Sequence, residues 1–190
     1  MSIVLHGSFT SPFVRHCRVA LAQSGLHWAF EPTSSADATA VTPAMRVPFL
    51  RADGRLFTDS SVILQYVRER QGRRFLADLE DAQLYHLANA ALDSAVNLFL
   101  LSKNDRTPDN TPYLKRQRDR VVAAISALAD AQRPDDGEND AALRIACFVD
   151  WARYRKLYEI EQPSLLSSLA RLNQDDAFAS THPSRSDTAP

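Results

Sequence analysis

Hydrophobic positions change their period several times in the N-terminal part of the chain. Residues 3–5 form a short apolar run suited to a buried strand. After a turn of small polar residues, Val14, Cys17, Leu21 and Ser24 recur at helical spacing until Gly25 stops the helix. Residues 27–31 can form a second strand, which would close a right-handed β-α-β crossover. The stretch 32–45 has no clear period and carries at most a weak helix. PFLRADGRLF then places two apolar runs around Asp53-Gly54, the signal of a tight hairpin, because glycine tolerates the positive φ such turns need. Asp59, Ser60 and Ser61 precede Val62, Ile63, Tyr66 and Val67, a capped amphipathic helix that should end between Arg68 and Gly72.

From RQGRRFLAD, residues 70–78, the pattern loses its strands. A domain boundary is therefore expected there, with one domain over 1–76 and an all-helical one over 80–183. Leu84, Leu87, Ala88, Ala91, Ala95, Leu98 and Phe99 make one long apolar stripe, and Leu114, Val121, Ile125 and Leu128 make another. Residues 141–149 are apolar on nearly every face apart from Arg144, so this helix should lie at the centre of the second domain. Leu165, Leu169 and Leu172 supply a last helix. After Ser180 the tail THPSRSDTAP has little apolar material to pack; fraying is expected, with 184–190 disordered. The first domain reads βαβ, connector, ββα, which is the thioredoxin-like order.

Composition narrows the function classes. A chain of 190 residues with 45% hydrophobic content can bury a substantial core. Its 22 basic and 23 acidic side chains leave a net charge of -1, so no field gathers nucleic acid or an anionic membrane. The two cysteines, Cys17 and Cys147, are far apart and lack metal-ligand spacing, which suggests neither a disulfide framework nor a metal site and fits a reducing cytoplasm. MSIVLHG is too short in its apolar run for a signal peptide, and no stretch nears the roughly 18 apolar residues of a membrane span. A soluble cytoplasmic protein is expected.

Three places could carry chemistry. Ser11-Pro12 ends a strand and begins a helix; serine is a favoured N-cap and proline a favoured first helical residue, so the pair can serve as a helix start alone. The same geometry gives free N–H groups and partial positive charge for an anion, and a hydroxyl there can donate to a thiolate. Arg46-Val47-Pro48 leads into a strand. Pro48 can be a plain strand-initiating proline, or, with a cis bond before it, can turn the backbone of Val47 outward for an extended peptide to pair with. Asp59-Ser60 can be a cap. It can also take the ammonium and carboxylate of a γ-glutamyl group, the ammonium on Asp59 and the carboxylate on the Ser60 hydroxyl and N–H.

Taken in order, the first strand, SPFVRHCRVAL, TPAMRVPFL and DGRLFTDSSVILQYV resemble the N-terminal domain of the glutathione transferase family. YLKRQRDRVVAAISAL, AALRIACFVDWARYR and LARLNQDDAFASTHP are similar to the helical domain of its bacterial members, so the resemblance spans about residues 3–183. It implies a thioredoxin-like α/β domain followed by an all-α domain, assembled as a homodimer, with glutathione as co-substrate and no metal. It further implies that Ser11 is the catalytic residue that stabilises the thiolate, with Ser8 and Thr10 as neighbouring hydroxyls able to substitute. By the same match, Val47 and Pro48 pair with the cysteinyl part of glutathione, Asp59 and Ser60 hold its γ-glutamyl end, and Arg46 neutralises a carboxylate or stays solvated. The chain departs from the family pattern at Met45, where a glycine is common, and at Asn139-Asp140-Ala141-Ala142, which keeps an N-cap but lacks the acid three residues on. Cys17 reads as a core residue. The implied reaction adds glutathione to a small hydrophobic electrophile bound beside Phe9 and Phe13 and the helix around Asn97, Phe99 and Leu100. The alternatives are glutathione-dependent isomerase, lyase or dehalogenase chemistry, or a non-catalytic glutathione-binding interaction module of the same fold.

Overall fold

A computed structural model describes residues 2–131 and 137–188. The chain divides into two compact units, one of residues Met1–Phe75 with Asn173–Pro190, the other of Leu76–Leu172. The first holds strands β1 (Ile3–Gly7), β2 (Trp28–Pro32), β3 (Phe49–Ala52) and β4 (Arg55–Phe57), with helices α1 (Pro12–Gln23), α2 (Ser35–Ala38) and α3 (Ser60–Arg70). The sheet order is β2-β1-β3-β4, with β1 parallel to β2 and antiparallel to β3, and β3 antiparallel to β4.

The β-α-β crossover and the hairpin both form where the apolar periods change. At the hairpin turn both central residues have positive φ, 52° at Asp53 and 72° at Gly54, as the right-handed twist of the flanking strands requires. Leu5 and Leu50 meet Val14, Cys17 and Leu21 of α1 and Ile63, Leu64 and Val67 of α3 in a fully buried core. Burying each such aliphatic side chain stabilises the fold by about 1.5–3 kcal/mol. The second strand is one residue later than expected, 28–32 in place of 27–31, because its register is set by pairing with β1.

The second unit contains α4 (Leu79–Ser102), α5 (Pro112–Asp130), α6 (Asp140–Tyr154) and α7 (Pro163–Leu172). Helix α4 packs on α5 and α6, and α7 packs on α5 and α6. Every residue of α6 from Asp140 to Ala152 is buried, including Arg144, whose guanidinium donates to the Tyr85 hydroxyl at 2.6 Å and lies 4.8 Å from its ring. Asn139 caps α6 by accepting the N–H groups of Ala141 and Ala142, as expected, and its own amide donates to Asp81 at 2.6 Å.

The C-terminal segment departs from the sequence expectation. Residues 173–183 sit with the first unit rather than ending the helical one, and the stretch beyond 180 does not simply fray. Helix α8 (Asp176–Ser180) packs on α1, followed by a 3₁₀ helix over Pro183–Thr188. The reason is Arg15, 1% exposed, whose Nε donates to Thr181 Oγ1 at 3.3 Å and whose Nη2 donates to the Phe178 carbonyl at 3.2 Å. Its guanidinium also lies 4.0 Å from the centre of the Phe178 ring. Of the expected disordered tail, residues 189 and 190 lie outside the described residues.

Candidate functional site

Strand register decides which loops meet. Gly7 pairs with Pro32, His6 with Phe49, and Leu50 with Phe57. The end of β1, the start of β3 and the end of β4 therefore lie at one end of the sheet, and residues 8–11, 46–48 and 58–60 all leave from it. Gly7 allows α1 to start there, since a Cβ at that position would collide with the Val14 side chain. Sequence reasoning passed over this glycine; its place between an apolar strand and a helix start was the available signal.

Ser11 is the N-cap of α1, with φ -79° and ψ 126°, and its Oγ accepts the Val14 N–H at 3.4 Å. A hydroxyl that accepts retains its own proton to donate. No acceptor takes that proton among the described residues, and the first turn of α1 has no acidic side chain to neutralise the helix terminus. The two neighbouring hydroxyls differ: Ser8 Oγ and Thr10 Oγ1 are 3.2 Å apart, so one proton of that pair is spent on the other.

The Val47-Pro48 peptide bond is cis. Among the described residues, neither the N–H nor the C=O of Val47 enters a hydrogen bond, while its side chain is buried. Met45 has φ 50° and is 62% exposed. The loop thus keeps the left-handed turn that glycine makes easily, at a cost of about 1–2 kcal/mol for a residue with a Cβ.

Asp59 is the N-cap of α3. Its Oδ1 accepts the Ser61 N–H at 2.8 Å and its Oδ2 accepts from Arg46 Nη2 at 3.1 Å. Arg46 is therefore paired with Asp59 and is not a lone solvated cation. Both partners of this pair are exposed, so it contributes only about 0–1 kcal/mol and yields readily to a competing charge. Ser60 is buried, and its carbonyl accepts the Cys17 thiol at 3.8 Å, which ties α1 to the start of α3 and gives Cys17 a packing role.

His6 stands in β1 at this end of the sheet, stacked on Phe49 at 4.4 Å with an interplanar angle of 12°. Its Nδ1 is 3.2 Å from Glu31 Oε2 and 3.4 Å from Thr33 Oγ1. Burial holds its pKa below the usual histidine value; Glu31 pulls the other way and Arg51 adds to the lowering. Neutral imidazole is the favoured form.

The four residues expected to line a second-substrate site divide between the units. Phe9 is half-buried, edge-on to Phe30 at 4.8 Å and 5.0 Å from the Arg18 guanidinium, and Phe13 is half-buried in the first turn of α1. In the second unit, Asn97 and Leu100 are exposed on α4. Among the described residues no group of three or more His, Cys, Asp or Glu side chains is placed to hold a metal ion, and no helix is long and apolar enough to cross a membrane.

A four-stranded α/β unit of this order together with a helical unit is the glutathione transferase fold. Residues 5–75 match the family model described as glutathione S-transferase, N-terminal domain. Over 197 residues the chain is 26% identical to YibF, an uncharacterized GST-like protein of Escherichia coli K12, covering 94% of this chain and 98% of that one. Among solved structures it is similar to a glutathione S-transferase of Methylobacterium radiotolerans in complex with glutathione sulfonate, with a TM-score of 0.82 at 21% identity over 96% of this chain and 95% of that one. It is also similar to a maleylacetoacetate isomerase of Methylobacterium extorquens bearing malonate and glutathione, with a TM-score of 0.75 at 20% identity over 98% and 99%.

Proposed function

We propose that this protein is a glutathione transferase that binds glutathione as a thiolate and adds it to a small hydrophobic electrophile. The observation that carries the reading is the convergence at one end of the sheet of a helix-start hydroxyl with a proton to give, an unpaired backbone amide and carbonyl at Val47, and a carboxylate and N–H groups at the start of α3. Glutathione asks for all three: its cysteinyl residue carries the thiol and the main-chain amide and carbonyl, and its γ-glutamyl end carries an ammonium and a carboxylate. Ser11 donates to the sulfur. Bringing a thiol of pKa ≈ 8.5 down by ~2 units takes about 2.7 kcal/mol of differential stabilisation, within reach of one charge-assisted hydrogen bond and a helix terminus.

Val47 pairs with the cysteinyl part as an added strand would, with Pro48 following it into β3. Asp59 takes the γ-glutamyl ammonium, and Ser60 with the N-terminus of α3 takes its carboxylate. Arg46 then turns from Asp59 towards a carboxylate of the tripeptide. Phe9 and Phe13, half-buried beside the start of α1, serve as an apolar wall for the electrophile. Exposed Leu56 and Val62 of the first unit give a second copy apolar side chains to cover in a homodimer. The setting is the reducing cytoplasm.

The likeness to an isomerase of the same fold favours a second reading, in which the same thiolate adds to a substrate and is then released. Titration of glutathione by calorimetry into the wild type and Asp59→Ala tests binding; about tenfold weaker affinity in the variant is expected, and equal affinity contradicts the assignment. Stoichiometric consumption of glutathione marks transfer, whereas product formation without consumption marks isomerase or lyase chemistry. A folded protein that does not bind glutathione overturns both and leaves an interaction module.

A further inference from the structure

The C-terminal segment of the first unit docks on the helix that Ser11 begins. Arg15 joins the two. Its backbone N–H donates to the Ser11 carbonyl at 2.9 Å, the bond that closes the first turn of α1. Its side chain donates to Thr181 Oγ1 and to the Phe178 carbonyl and covers the Phe178 ring. The acceptors are themselves fixed: the Thr181 hydroxyl donates to the Phe178 carbonyl at 2.8 Å, and Asp175 caps α8 by accepting the Phe178 N–H at 2.9 Å. Arg15, Phe178 and Thr181 are all buried, and all belong to one compact unit.

A helix start is the part of a helix that frays first, unless caps or packing hold it. The start of α1 has little hold of its own. The Ser11 cap bond is long at 3.4 Å, and the first turn has no acidic side chain to complement its dipole. Two consecutive side chains supply the hold instead. Val14, fully buried, packs against Gly7 of β1. Arg15, about 100° further round the helix, is fastened to α8. Bonds from a guanidinium fork are directional and stronger than neutral ones, so the grip of α8 is stiff. An anchor for the chain end alone could use any turn of α1; this one grips the turn that orients Ser11.

We propose that Arg15 is a positioning residue for the thiolate site: by holding its guanidinium, the C-terminal segment fixes the first turn of α1 and so the direction in which the Ser11 hydroxyl donates. The inference rests on the reading of Ser11 as the donor to the glutathione sulfur and adds a second segment of the chain, residues 175–181, to what sets the acidity of that thiol.

The test uses the full-length wild type, Thr181→Val, Thr181→Ser and Arg15→Met. The thiolate absorbance of bound glutathione is titrated across pH, and affinity is measured for S-methylglutathione, which has no thiol to ionise. Thr181→Val should raise the pKa of the bound thiol by at least ~0.5 unit, the shift expected when the aligned hydroxyl is populated about a third of the time. Arg15→Met should raise it at least as far. Thr181→Ser, which keeps the acceptor, should titrate as the wild type does, and Thr181→Val should bind S-methylglutathione within about twofold of the wild type. A role in stability alone would lower the unfolding midpoint of Thr181→Val and leave its thiol titration unmoved; that result overturns the inference, as does an equal shift in Thr181→Ser. If the wild type binds glutathione and lowers its thiol pKa but Thr181→Val does so equally, this inference falls alone. A wild type that binds neither tripeptide overturns the glutathione reading and this inference with it.

Discussion

At the start of α1, Ser11 accepts one long hydrogen bond from Val14 and keeps its proton; at the start of α6, Asn139 accepts two N–H groups and spends its amide on Asp81. Both residues are N-caps with extended backbone, φ -79° against -77°. They differ in what remains unused. Helix α6 has Asp140 in its first turn and a start closed by side chains, and the helix is buried from Asp140 to Ala152. Helix α1 has no acid in its first turn, and its cap is half-exposed. A cap that satisfies everything around it is finished as chemistry, whereas one with a proton and a helix field left over can hold an anion. Residue type alone does not separate the two cases.

The largest expected effect breaks the closed region. Phe148→Ala in α6, where the side chain is 0% exposed, should cost about 3–5 kcal/mol in denaturant unfolding. Next come the two caps themselves. Asn139→Ala should cost about 1–2 kcal/mol, because two orphan N–H groups and the bond to Asp81 are lost, while Ser11→Ala should cost about 0.5 kcal/mol, since a 3.4 Å contact is weak. Equal losses, read from chemical denaturation, would erase the distinction drawn between the two helix starts. The smallest effect is pH-dependent and belongs to His6. Its folded pKa is lowered by burial, so the unfolded chain takes up the proton first, and stability should fall as pH drops below about 6.5 towards the folded pKa. His6→Phe, which keeps a ring on Phe49, should flatten that part of the melting-temperature profile; an unchanged profile would show that His6 does not contribute to it.

Much of the fold was legible in the sequence because it is written in local pattern. The hairpin at Asp53-Gly54, the caps at Asp59 and Asn139 and the buried face of α6 each follow from a few adjacent residues. Strand register was not legible, and register is what brings residues 8–11, 46–48 and 58–60 to one end of the sheet. The docking of α8 was missed because its anchor, Arg15, bonds to Thr181 across 166 positions, and a charged residue in an apolar helix face reads as surface until its partner is known. The pairing of Arg46 with Asp59, 13 positions apart, is a contact of the same kind. Met45 shows the opposite limit: the glycine signal is absent, yet the chain takes the glycine-like turn there.

The central claim is that the unspent proton of Ser11 holds a thiolate. Its most direct measurement is the ultraviolet absorbance of the thiolate of glutathione bound to the wild type and to Ser11→Ala, titrated across pH. The account predicts a bound thiol that ionises ~2 units below the ordinary value of about 8.5 in the wild type and at least ~1 unit higher in the variant. Identical titrations in the two proteins would contradict it.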